Sequence, residues 1–141
     1  MHKALIVAAG LIFGATGAMA EAAKPFWPAG AKVYIISPES GATVSNPVTI
    51  RFGLSGLGVA PAGVEKEKTG HHHLLIDVDL PKDLTLAIPA DDNHRHYGGG
   101  QTEVTVELKP GTRTLQLLVG DHNHVPHNPP LASEKISITV K

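Results

Sequence analysis

The stretch GHHHLLIDVDL, Gly70–Leu80, decides the reading of this chain. Its β-branched and leucine-rich composition marks it as a strand. In an extended chain, residues i and i+2 point to the same face. His71, His73, Leu75, Asp77 and Asp79 therefore share one face, and His72, Leu74, Ile76 and Val78 share the other, more apolar one. The pattern places His71 and His73 together on a polar face. It points His72 at the core, with a backbone hydrogen bond to satisfy it.

Outward from this strand the chain alternates short apolar runs with turn formers. KVYIIS, VTIRFGL, QTEVTVEL, RTLQLLVG and EKISITV read as further strands, with a short one over Leu84–Ile88. SPESGATVSNP, SGLGVAPAGVEKEKTG and DHNHVPHNPPLAS are rich in Gly, Pro, Asn and Ser and read as connections. KPGT between QTEVTVEL and RTLQLLVG suggests an antiparallel hairpin. Six to seven strands without a helical period imply an all-β chain, an immunoglobulin-like antiparallel β-sandwich.

The first twenty residues, MHKALIVAAGLIFGATGAMA, read as a signal peptide. Lys3 is the basic start, an apolar run follows, and Ala18-Met19-Ala20 is an A-x-A cleavage pattern. The run falls short of the ~20 residues of a spanning helix, and Gly10, Gly14 and Gly17 interrupt it. The expected organisation is signal peptide 1–20, N-terminal arm 21–31 with Phe26 and Trp27 tucked onto the fold, and one sandwich domain over 32–141. The mature chain is expected in a periplasm or secreted, with no membrane span after cleavage.

The chain has no cysteine, and Met1 and Met19 both lie in the expected signal peptide. Packing or a metal, rather than disulfides, must hold the exported domain. Loss of Lys3 takes the 12 basic residues to 11 against 13 acidic ones. A balance of −2 with no basic patch argues against nucleic acid as a partner.

Histidine is the outlier, with eight of the nine outside the signal segment. They form three His-x-His pairs, 71/73, 94/96 and 122/124, where roughly 0.5 would arise by chance at this frequency. The excess marks a function for the pairs. Same-face imidazoles can converge on one cation, at ~2.0–2.1 Å from each nitrogen for zinc. The candidate ligands are His71, His73, His122, His124 and His127, with His72, His94, His96 and Asp121 in a second tier. Without thiolate or thioether the donor set suits Zn(II), Cu(II), Ni(II) or Fe(II) rather than Cu(I), with Zn(II) and Cu(II) foremost because imidazole serves both.

The segments SPESGATVSNPVTIRFGLSGLGVAPAG, GHHHLLID, HRHYGGGQTEVTVEL and PGTRTLQLLVGDHNHVPHNPPLASEKISITV together resemble the bacterial family called domain of unknown function 4399, over about residues 33–140. The resemblance implies an exported, His-rich, sandwich-like protein and carries over no established activity. The shared positions it implies are His71, His72, His73, His96, Gly100, Gln101, Asp121, His124 and His127. It also implies a histidine in many members where this chain has Arg113.

Three functions stand against one another at this point. The first is a small exported protein binding one transition-metal ion. The second is a non-catalytic structural or partner-binding domain, whose histidines form a hydrogen-bonded network with Asp77, Asp121, Asn123 and Gln101. The third, least favoured, is a metal-dependent enzyme with an open coordination position. Ser133 is the one hydroxyl of note near the histidines, so no nucleophile stands out.

Overall fold

The computed structural model describes residues 10–12, 14–20 and 22–141. Residues 1–9, Phe13 and Glu21 lie outside it. With them lie the basic start of the expected signal peptide and the residue expected to follow its cleavage.

Nine strands and no helix form among the described residues: β1 Lys32–Ser37, β2 Thr43–Val44, β3 Val48–Ser55, β4 Gly58–Val59, β5 Thr69–Ile76, β6 His94–His96, β7 Glu103–Val106, β8 Gly111–Gly120 and β9 Ile136–Val140. They make two sheets. One is β1-β3-β7; the other is β2-β9-β8-β5-β4, with β6 also paired to β5. The six longer strands are those legible as apolar runs. β2, β4 and β6 are two or three residues long, too short to show a period, and β2 and β4 lie within stretches that read as connections. The β2–β9 and β4–β5 pairs are parallel, so the second sheet is mixed rather than antiparallel throughout.

The core lies between the sheets. Val48, Ile50 and Phe52 of β3 meet Leu74 and Ile76 of β5, Leu115, Leu117 and Val119 of β8, and Ile138 and Val140 of β9. Each such side chain contributes ~1.5–3 kcal/mol by leaving water. Alternation in β3 follows directly, since Thr49 and Arg51 stay exposed.

β5 departs from simple alternation: all seven residues from Gly70 to Ile76 are buried. A strand covered on both faces reads as a continuous apolar run, and LLI here and LLV in β8 are such runs. The second cover comes from the connections. Leu75 and Leu118 pack on the outer face with Ile88, Val78, Leu80 and Ala132. No strand forms over Leu84–Ile88; Ile88 alone of that segment is buried in this layer, while Leu86 stays exposed.

The expected hairpin between β7 and β8 does not form. β7 pairs with β3 in the first sheet and β8 with β5 and β9 in the second, so KPGT carries the chain from one sheet to the other. Asn46 fixes the crossing. Its side-chain amide donates to Leu108 O at 2.7 Å, and its carbonyl accepts from Leu108 N at 3.0 Å. Leu108 is thereby buried in the core, where a hairpin would leave it at the sheet edge.

Candidate metal centre

The second sheet carries the histidines on its outer face, at the end where His71 stands opposite Gly120 and His73 opposite Leu118. Strand β6 runs along the free edge of β5 and places His96 beside His73. Asp91 starts β6: its carboxylate accepts from Asn93 N and His94 N at 2.9 and 2.8 Å, and also meets His94 Nδ1 at 2.8 Å. The loop after β8 turns back over the sheet and supplies His124.

Four imidazoles therefore meet: His71, His73, His96 and His124. Their six ring-centroid separations run from 4.6 to 5.9 Å. With nitrogens ~2.0–2.1 Å from a central ion and ring centres ~1.1 Å farther out, tetrahedral ligation places centroids about 5 Å apart. One nitrogen each of His71, His73 and His96 already lies within 4.8 Å of the other two. His124 packs against all three rings from the loop side. His71, His73 and His96 could hold a metal ion, and the His124 ring stands beside them.

Two glycines give the rings their room. A Cβ at Gly120 would stand 2.8 Å from His73 Cε1 and 3.2 Å from the His124 backbone. A Cβ at Gly98 would stand 2.6 Å from His96 Nε2. Any larger residue at either position would displace a ring.

Electrostatics keep His71, His73 and His96 neutral. Burial, with His96 and His124 close by, lowers the His71 pKa to about 4. Burial and the neighbouring rings of His71, His96 and His124 lower that of His73 to about 3. His96 is lowered as well, by burial and by His124. At pH 7 each of these three rings carries a free lone pair, the form that binds metal. Both nitrogens of His71 and both of His73 are buried without a hydrogen-bond partner among the described residues. Buried polar atoms are rarely left so.

A family model described as "Domain of unknown function (DUF4399)" matches residues 50–141. The chain belongs to the DUF4399 family. No curated protein and no solved structure matches it. The DUF4399 match opens at Ile50 in β3, later than the resemblance seen from residue 33, and takes in all four ring positions.

In this DUF4399 chain His94, His122 and His127 are engaged by other partners. His122 faces Asn123, ring nitrogen to amide nitrogen at 3.0 Å, with Glu65 at 3.9 Å. His127 is held by Asp121 Oδ2 at 2.7 Å and stacks on Phe26. His94 is taken by Asp91. The chain turns sharply at 121–127, so spacing alone does not place these rings. His96, by contrast, comes from the second tier into the centre, because β6 pairs with β5.

His72 faces the core as the alternation implies, 5.1 Å from the Phe52 ring, but neither of its nitrogens finds the expected backbone partner. Burial lowers its pKa to about 4. The network residues are also engaged elsewhere. Asp77 binds Arg113 and the Thr114 N–H, and Gln101 accepts from Gly99 N. Arg113 lies at the far end of β8 from the cluster, five residues from Leu118, about 16 Å along the strand. A histidine at that position would face Asp77.

Proposed function

We propose that this DUF4399 chain is an exported binding protein that holds one transition-metal ion through His71, His73 and His96, with His124 as the fourth ligand. The carrying observation is the convergence of His71, His73 and His96, with the His124 ring packed against all three, while the nitrogens of His71 and His73 have no other polar partner. Near-equal spacing in all six ring pairs favours Zn(II), which takes tetrahedral nitrogen sites, over Cu(II), which prefers a tetragonal plane. Four protein ligands make a closed site, suited to holding or carrying an ion rather than activating water. A hydrogen-bonded network accounts for His94, His122 and His127, each of which has a partner, and leaves the triplet unexplained.

Export and the immunoglobulin-like form of the sandwich belong to the same reading. The basic start, apolar run and A-x-A pattern of residues 1–20 support a periplasmic or secreted protein. No helix among the described residues is long and apolar enough to cross a membrane. Two sheets between which the chain crosses repeatedly, from β1 to β2 to β3 to β4, support the immunoglobulin-like form.

The test is calorimetric titration of untagged, metal-stripped residues 21–141 with Zn(II), at about pH 7.5. One-to-one binding below ~1 µM is expected, with at least a hundredfold loss in the His71→Ala/His73→Ala double variant. Wild-type binding no tighter than about 10 µM would overturn the reading. Cu(II) binding tighter than Zn(II) would not choose between the metals, because that order holds for most nitrogen sites.

A further inference from the structure

We infer that Asp121 and His127, clamped by Phe26 and Trp27 of the N-terminal arm, are positioning residues for the fourth ring, His124. The inference rests on the metal-binding reading above and deepens it. His124 adopts φ 68° and His127 φ 61°. The left-handed region costs a non-glycine residue roughly 1–2 kcal/mol, so something must hold this loop in place.

Asp121 is the hub. Its Oδ1 accepts from Asn123 N at 2.8 Å and Val125 N at 3.0 Å, one on each side of His124. Its backbone carbonyl accepts from His124 N at 2.9 Å. Its Oδ2 takes His127 Nε2 at 2.7 Å; the carboxylate can only accept, so that nitrogen carries the proton. Burial alone would raise the Asp121 pKa, but the Val125, His127 and Asn123 contacts outweigh it and hold it below the usual carboxylate range. The hub therefore stays charged at neutral pH.

The arm fastens this hub from outside. Phe26 lies flat on the His127 ring, centroids 3.6 Å apart and planes 5° from parallel. Trp27 meets His127 edge-on and donates its indole N–H to Pro126 O at 2.7 Å. Trp27 is itself buried over Gly70, the residue before His71, where a Cβ would stand 3.1 Å from its ring. One continuous set of contacts thus joins the arm to the loop that presents His124. Without it, three histidines remain from the sheet and an open position is left for water. Zinc-bound water in such sites ionises near pH 7, whereas a site closed by four imidazoles has no such proton.

Co(II) in place of Zn(II) reads this difference by its visible absorption. The wild-type spectrum is expected to stay constant from about pH 7 to 9. His127→Ala is expected to make it pH-dependent, as His124→Ala does, and to weaken binding ~10–100-fold, the usual effect of losing a group that orients ligands. His127→Gln keeps an N–H at nearly the same reach and is expected to restore the wild-type spectrum. Phe26→Ala, at a half-exposed ring, gives the same pH-dependent spectrum in milder form and carries the test if His127→Ala does not fold. A folded variant, His127→Ala or failing that Phe26→Ala, with wild-type spectrum and affinity overturns the inference. If binding also remains sensitive to His71→Ala, the metal reading survives alone. A wild-type chain that takes up neither Co(II) nor Zn(II) removes both.

Discussion

Three consecutive histidines divide their roles by the two-residue period of a strand. His71 and His73 join His96 and His124 outside the sheet, while His72 sits between the sheets against Phe52. All three are 0–1% exposed, so burial does not distinguish them; neighbours do. His72 meets the Phe52 ring and has no partner for either nitrogen. An unpaired buried polar group costs ~1–3 kcal/mol. Replacing it with an apolar side chain of similar volume removes that cost. His72→Leu is therefore expected to raise stability in urea by ~1–2 kcal/mol at pH 7 and to leave Zn(II) affinity within about threefold. A loss of stability, or a tenfold loss of affinity, would mean that His72 has a partner role.

Among the elements, the connections carry as much of the architecture as the strands. The β7–β8 segment contains the Pro-Gly of a hairpin, yet it crosses between sheets because Asn46 captures both backbone groups of Leu108. Side-chain bonds of this kind replace ladder bonds and cannot be read from local turn chemistry. Asn46→Ala leaves both groups part-buried and unpaired. It is expected to cost about 2 kcal/mol in urea unfolding with metal affinity unchanged; a loss under ~0.5 kcal/mol would mean that packing alone holds the crossing. Strands β3 and β7 were legible from alternation. β6 was not, since its three residues pair only because Asp91 turns the chain onto the β5 edge. That pairing is what brings His96 into the cluster and leaves His94 outside it.

For the molecule as a whole, the histidine cluster links folding to pH. His71, His72 and His73 have folded pKa values near 4, 4 and 3, against 6.5 for a free ring. Below pH 6.5 the unfolded chain thus binds more protons than the folded one, and stability falls as pH falls. The loss runs from about pH 6.5 down to about 3, where His73 is the last to protonate, and each ring contributes roughly 1–2 kcal/mol between pH 7 and 5. Against a typical total of ~5–15 kcal/mol, the metal-free chain is expected to lose much of its stability by pH 5. Thermal melts across that range check it; a flat profile would mean that the rings titrate normally. Saturating Zn(II) is expected to raise the melting temperature at pH 7.5 and to lose this effect as protons displace it.

The sequence by itself determined the strand alternation, the inward face of His72, the shared face of His71 and His73 and the lack of any cysteine. These follow from side-chain chemistry and a period of two, which act over a few residues. Only the tertiary structure decided which other histidines join them. His96 arrives by an edge pairing of β6 to β5, and His124 by a left-handed turn tied to Asp121. His122 and His127 are drawn away to Asn123 and Asp121. Those outcomes depend on contacts between segments far apart in the chain, and on which partner each buried polar group finds, so no local spacing rule contains them.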